Sequence, residues 1–201
     1  MLLVNARFLT QKITGVQRFS IEISRQLKKI MNREIRFIAP ENIIHENIAN
    51  ELDVAIVGKN KGHLWEQIDL PKYLKEIGSP LLLNLANTAP LFYRNKIVTI
   101  HDVAFERYPQ TFNWKFRYTY KYLIPAIIKR SRHVFSVSDF SKNEIINFYG
   151  INNNKVSVIY NSVNDKFKPL RKKHTKHDYI LAVSSLHYQK NFHSLIKAFN
   201  L

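Results

Sequence analysis

The residues best placed to do chemistry are His101 and Asp102, which follow directly on the run Ile97-Val98-Thr99-Ile100. A short β-branched run of that kind becomes a buried parallel strand, so the pair stands where the strand ends. In open α/β sheets, ligands sit beyond the carboxyl ends of strands. His101-Asp102 therefore reads as a site facing a crevice, with a hydrogen-bonded structural histidine as the alternative. Gly15, in Thr14-Gly15-Val16, is the second such residue. At a strand–loop–helix junction it either admits a ligand to the backbone N–H groups of a helix start, where anions are favoured, or merely makes the turn. Ser138 and Asp139 precede a helical stretch; there, capping competes with ligand contact.

These residues need a scaffold, and the apolar periodicity supplies one. Strands are predicted at Leu2–Val4, Ile35–Ala39, Leu52–Val57, Leu81–Leu83, Ile97–Ile100, His133–Val137 and Val156–Tyr160. Val16, Phe19, Ile23, Leu27 and Ile30 recur at helical spacing, with Lys28 and Lys29 near the negative end of that helix. Leu64–Ile77 reads as helical despite Pro71, stopped by Gly78-Ser79-Pro80, and a further helix runs from Phe140 to Gly150. Asn5–Thr14 and Asn84–Pro90 are predicted as polar loops. Strands alternating with helices give an α/β, Rossmann-like doubly wound parallel sheet.

Thr111–Arg132 interleaves Phe112, Trp114, Phe116, Tyr118, Tyr120 and Tyr122 with Lys115, Arg117 and Lys121, and ends in Lys129, Arg130 and Arg132. Such a helix suits an anionic membrane surface, or packs its apolar side on the sheet while its cations are solvated. Arg171–Asp178 is basic and reads as the core of a linker over 169–178. It separates a first domain, 1–168, from a second α/β unit, 179–201, with a strand at Tyr179–Val183 and a helix from Phe192. One strand and one helix cannot bury Phe192, Leu195, Ile196 and Phe199, so that stripe is expected to be exposed or packed opportunistically on the first domain, and the second domain to be truncated.

The chain has 201 residues, no cysteine and a net charge of +16. No cysteine means no disulfide and no thiolate metal site, which fits a reducing, cytoplasmic location. The charge implies an anionic partner: nucleic acid, an acidic membrane face or a phosphorylated substrate. No helix-turn-helix, zinc-finger or RNA-binding signature is present, so nucleic acid is disfavoured; a basic binding module without catalysis is the competing reading. A serine hydrolase lacks its G-x-S-x-G elbow, and no Asp/His cluster has metal-ligand spacing.

Several stretches in order carry a resemblance: N-A-R-F-L with T-G-V-Q-R at 5–18, L-W-E-Q with L-P at 64–71, and I-H-D-V-A-F with Pro109 at 100–109. S-V-S-D-F-S-K at 136–142, V-I-Y-N-S-V-N at 158–164 and L-A-V-S-S-L-H-Y-Q-K-N-F at 181–192 continue it. Together they resemble the retaining, nucleotide-sugar-dependent glycosyltransferases of family 4, of the GT-B fold, nearest to bacterial mannosyltransferase-like enzymes of surface-polysaccharide assembly. The resemblance implies an acceptor-binding first domain and a donor-binding second one. It implies hexose transfer to a lipid-linked saccharide with retention, no cofactor and no metal; the basic first domain suits a peripheral place on the inner face of the cell membrane. His101 matches the histidine that approaches the transferred sugar, the sole catalytic assignment. Gly15, Arg18, Asp102 and Ser138 fall at substrate-binding positions, and Ser185 and Lys190 at the donor diphosphate. The family's glycine at the start of that phosphate loop is here Ser184, and its paired glutamates have no counterpart up to Leu201. The donor site is therefore expected to be incomplete and activity of this chain by itself is not expected.

Overall fold

The computed structural model describes residues 1–163, 167–168, 179–186 and 190–200. Its centre is a seven-stranded sheet of order β3-β2-β1-β4-β5-β6-β7. The strands are β1 (Leu2–Asn5), β2 (Ile35–Ala39), β3 (Ala55–Ile56), β4 (Leu81–Asn84), β5 (Lys96–Thr99), β6 (His133–Ser136) and β7 (Val156–Val158). Every pairing is parallel. The chain first steps outward through β2 and β3, then crosses to the other side of β1 for β4. The direction of winding thus reverses between β1 and β4, where Leu2 to Asn5 lie beside Leu81 to Asn84.

Alternation along the strands explains why both faces need helices. Val4, Phe37 and Leu83 enter one core, with Phe19, Ile21 and Leu52 of the covering helices α1 (Gly15–Met31) and α2 (Glu46–Leu52). Their neighbours Leu3, Ile38 and Leu82 enter another, with Trp65, Leu70 and Leu74. The latter three belong to a continuous helical run: α3 (Gly62–Leu64), a π-helical turn (Trp65–Asp69) and α4 (Leu70–Glu76). Pro71 falls just after the π-helical turn, an irregularity in the run that accommodates a residue without an N–H. Under β5 to β7, Val98, Val134 and Val156 pack with Ile124, Ile127 and Ile128 of α6 (Trp114–Arg130) and Ile145 of α7 (Asp139–Tyr149). Each such side chain, fully buried, contributes about 1.5–3 kcal/mol. A short helix, α5 (Ala104–Arg107), follows β5, and α8 (Phe192–Phe199) is the last element.

The structure corrects four sequence expectations. Leu52 ends α2 rather than starting a strand, because Asp53 adopts a left-handed φ of 53° and its N–H closes on the helix carbonyls; β3 is only Ala55–Ile56. The polar loop after β1 contains a buried 3-10 turn at Arg7–Thr10. The loop after β4 is largely interior, with Leu85, Thr88 and Ala89 all buried. Tyr179–Val183 forms no strand and is exposed; among the described residues no strand lies beside it to complete a ladder. Of the predicted stripe on α8, Leu195, Ile196 and Phe199 are exposed and Phe192 is half-buried. The predicted linker at 169–178 falls outside the described residues.

One buried cation fixes the entry to β5. Lys96 is 0% exposed, and its Nζ donates to the carbonyls of Tyr93 and Leu91. Burial, then the like charges of Arg130, Lys155 and Arg94, pull its pKa down to about 8. Between that value and the ordinary lysine range the unfolded chain binds the proton and the folded chain does not, so stability rises with pH. The parent is therefore expected to gain about 2–3 kcal/mol on a Lys96→Met variant between about pH 7.5 and about pH 10, read from urea titrations. A gap that stays constant with pH would contradict this.

Candidate functional site

Beyond the carboxyl ends of β1, β4 and β5, at the winding reversal, polar side chains converge in an otherwise apolar interior. Ligands of open α/β sheets bind at this position. His101 leaves β5 here, 7% exposed. Its backbone N–H donates to Asn87 Oδ1 at 2.8 Å, and its ring Nε2 lies 2.9 Å from the carbonyl of Leu85. A carbonyl only accepts, so Nε2 carries the proton and Nδ1 presents a lone pair. Burial holds the imidazole pKa below its ordinary value, against the smaller opposing effects of the Leu85 carbonyl and Asp102. The ring is thus neutral at pH 7, and it offers an acceptor rather than a cation. Phe19 of α1 meets it edge-on at 5.0 Å, and Ser20 Oγ lies 3.1 Å from the same Leu85 carbonyl. The start of α1, the loop after β4 and the exit of β5 are so locked together.

Gly15 begins α1, and Gln17 Oε1 accepts from the preceding Thr14 N–H at 3.1 Å. A Cβ at Gly15 would meet nothing within 4 Å, and its φ is not left-handed. Nothing in the chain itself thus demands glycine there. Gly15→Ala is expected to leave the thermal midpoint unchanged or raised, since alanine is favoured by about 1 kcal/mol in a helix. A lowered midpoint would contradict this account of the position. Arg18, one turn on, is exposed.

The other sequence-predicted residues are placed as follows. Asp102 is exposed, and its Oδ1 accepts from Ala104 N–H at 3.0 Å, opening α5. It borders a shallow hollow with Arg107 and Glu144, whose ion pair is 2.8 Å long. Ser138 caps α7: its Oγ accepts from Ser141 N–H and donates to Ser141 Oγ, both at 3.1 Å. Ser185 and Lys190 are exposed, and among the described residues no hydrogen bond joins them to the sheet unit. The structure therefore brings His101 together with Phe19 of α1 and with the loop after β4, and no hydrogen bond or ring contact joins it to Gly15, Arg18, Ser138, Ser185 or Lys190 among the described residues.

It also brings in residues to which sequence reasoning gives motif membership alone. Arg7 and Glu66 form an ion pair of 3.2 Å with side chains 8% and 1% exposed. Arg7 Nη2 donates to Thr88 Oγ1 at 2.7 Å. Asn5 Nδ2 donates to both Glu66 Oε1, at 2.9 Å, and Asn84 Oδ1, at 3.0 Å, tying β1 to β4. Burial pushes the Glu66 carboxyl up, but His63, Arg7, Thr88 and Asn5 together hold it below the usual range. Its neighbours in the π-helical turn are anchors: Trp65 Nε1 donates to Val57 O at 2.6 Å, and Gln67 bonds Ala89 O and Leu91 N–H. The available signal is a charge inside an apolar run, as in A-R-F-L and L-W-E-Q-I.

Three comparisons bear on this arrangement. The sequence profile described as Glycosyltransferase Family 4 matches residues 13–167. The chain is 29% identical over 212 residues to the O-antigen chain mannosyltransferase RfbU of Salmonella typhimurium strain LT2, covering 98% of this chain and 58% of that protein. The crystal structure of Anabaena Alr3699/HepE in complex with UDP matches with a TM-score of 0.53 at 13% identity, over 81% of this chain and 44% of that one. At that identity the likeness is one of fold. The chain spans about half the length of the relatives it matches.

Proposed function

Because the chain belongs to glycosyltransferase family 4, we propose that it supplies the acceptor-binding half of a retaining hexosyltransferase. The donor is a nucleotide sugar, with mannose the first candidate, and the acceptor is a lipid-linked saccharide. The observation that carries this reading is His101: a buried, neutral imidazole at the winding reversal whose Nδ1 faces no partner among the described residues. Such an acceptor receives a hydrogen bond from a sugar hydroxyl and orients it. In the front-face reaction, the bond from the anomeric carbon to the diphosphate oxygen breaks as the bond to the acceptor oxygen forms on the same face. The acceptor proton passes to the departing diphosphate. His101 orients, Gly15 and Arg18 receive substrate at the start of α1, and Asp102 and Ser138 complete the rim. Ser185 and Lys190 face the diphosphate, where a fixed positive charge meets the growing negative one. No cofactor or metal takes part.

The outer face of α6 supports a peripheral place on an anionic membrane. Trp114, Tyr118 and Tyr122 are 64%, 54% and 69% exposed and share that face, at spacings of four, with Lys121. Aromatic rings among lysines suit the headgroup region. Among the described residues no helix is long and apolar enough to cross a membrane.

Equilibrium binding of a short-chain lipid-diphosphate saccharide to the chain tests the proposal. Saturable binding in the range of about 1 μM to 1 mM is expected, as for ordinary substrates. Retention of a DNA duplex with steep salt dependence, and no saccharide binding, would replace it with the basic-module reading.

A further inference from the structure

The Arg7–Glu66 pair is the most unusual feature of the interior that the reaction above leaves unused. Glu66 Oε1 is fully engaged by Asn5 and Arg7, yet Oε2 is buried without a hydrogen-bond partner. His63 Nδ1 lies 3.5 Å from it, on a side chain 53% exposed. An unsatisfied carboxylate oxygen is costly inside a protein, and proteins keep such costs at functional sites. On the other side of the pair, Arg7 uses Nε on Glu66 and Nη2 on Thr88, and no described residue accepts from Nη1. The guanidinium is thus held rigidly by two anchors with donors to spare. The pair lies at the reversal between β1 and β4, anchored through Asn5 and Asn84 to both strand ends. It is carried by a π-helical turn, an irregularity that recurs at functional sites.

The charge arrangement selects the ligand class. A lone buried arginine would favour phosphate. Here Glu66 cancels the charge at 3.2 Å, and the neutral pair keeps one unused donor, Nη1, and one unused acceptor, Oε2. That combination fits an uncharged polyol. Phe112, Phe116 and Tyr120 stack with ring centroids 5.5 and 4.0 Å apart, and Tyr120 is the ring of the three that reaches the pair. The Tyr120 hydroxyl feels the opposing charges of Arg7 and Glu66 in addition to its burial.

We propose that Arg7 and Glu66 form a sugar-binding subsite, Arg7 Nη1 donating to one hydroxyl of the acceptor saccharide and Glu66 Oε2 accepting from its neighbour. Thr88 is a positioning residue that holds the guanidinium through Nη2. His63 covers Oε2 and swings aside, as its exposure allows, when the sugar enters. The inference rests on the reading of this unit as the acceptor half, and it adds the residues that select the sugar.

The test titrates the chain with methyl α-mannoside and the other common methyl hexosides, one at a time, by saturation-transfer NMR, with inorganic phosphate as the charged control. Glu66→Gln and Arg7→Lys remove the acceptor and the rigid fork, and each is expected to weaken the best glycoside at least about tenfold. Because these buried positions also support folding, Thr88→Val and Thr88→Ser are measured beside them. Valine is expected to weaken binding about three- to tenfold with an unchanged circular dichroism spectrum, and serine to restore it. Undiminished binding in folded Thr88→Val and Arg7→Lys would overturn the subsite. If His101→Ala alone abolished binding in that case, the acceptor reading would survive without it. A parent chain that binds no glycoside overturns both. Phosphate competing at the same resonances would overturn the neutral-polyol assignment.

Discussion

Alanine in place of His101 is expected to lower sugar transfer by about 100-fold or more in any preparation competent for it, as for loss of one preorganised polar contact to the reacting group. The residue is held at three points: its backbone N–H on Asn87, its ring Nε2 on Leu85, and its ring against Phe19 in a T-shaped contact. A group so immobilised needs no reorganisation when the acceptor hydroxyl arrives. The loss is expected in kcat/KM, with the spectrum of the folded chain retained. The pH dependence has a definite sign. Burial lowers the folded pKa of His101, so its contribution to stability is present above the ordinary imidazole value and is lost as pH falls through the folded one. On the proposed role, transfer is expected to follow the neutral form and to fall on the same acid side. Transfer that rises on acidification below about pH 6 would show a protonated ring at work and contradict the assignment.

Trp65→Ala is expected to cost about 3–5 kcal/mol, a large part of the about 5–15 kcal/mol that holds a domain of this kind together. Trp65 is 0% exposed and packs with Leu3, Ile38, Leu70 and Leu82. Its truncation leaves a cavity between the sheet and the helical run and strands the carbonyl of Val57. Because Glu66 and Gln67 follow it in the π-helical turn, the ion pair with Arg7 and the link to the loop after β4 loosen with it. Trp65→Phe keeps most of the apolar volume and loses the hydrogen bond, at an expected cost of about 1–3 kcal/mol. Urea titrations of both variants check the order. Equal losses would contradict the division between packing and hydrogen bonding.

The middle of the sheet was legible because its strands are compact apolar runs that end at a polar residue: Asn5, Asn84 and His101 mark three strand exits, and all meet at the winding reversal. The capping role of Ser138 was equally readable, since its hydroxyl and the amide it serves are three residues apart. What escaped depends on contacts between distant parts of the chain. Arg7 and Glu66 are 59 residues apart, and no local pattern announces that the fold brings them together. Leu52–Val57 is apolar enough for a strand, but the left-handed Asp53 divides it between α2 and β3. Tyr179–Val183 has strand composition and no partner strand among the described residues, and composition alone does not make a ladder.

The most direct test of the acceptor reading is ¹⁵N NMR of the histidine-labelled chain titrated with a short-chain lipid-diphosphate saccharide. In the free chain His101 is expected to show a protonated Nε2 and a bare Nδ1. On saturation the Nδ1 signal moves to a hydrogen-bonded position while Nε2, held by Leu85, stays in place. A saccharide that leaves both nitrogens unmoved, or that does not bind, would contradict the assignment of this crevice as the acceptor site.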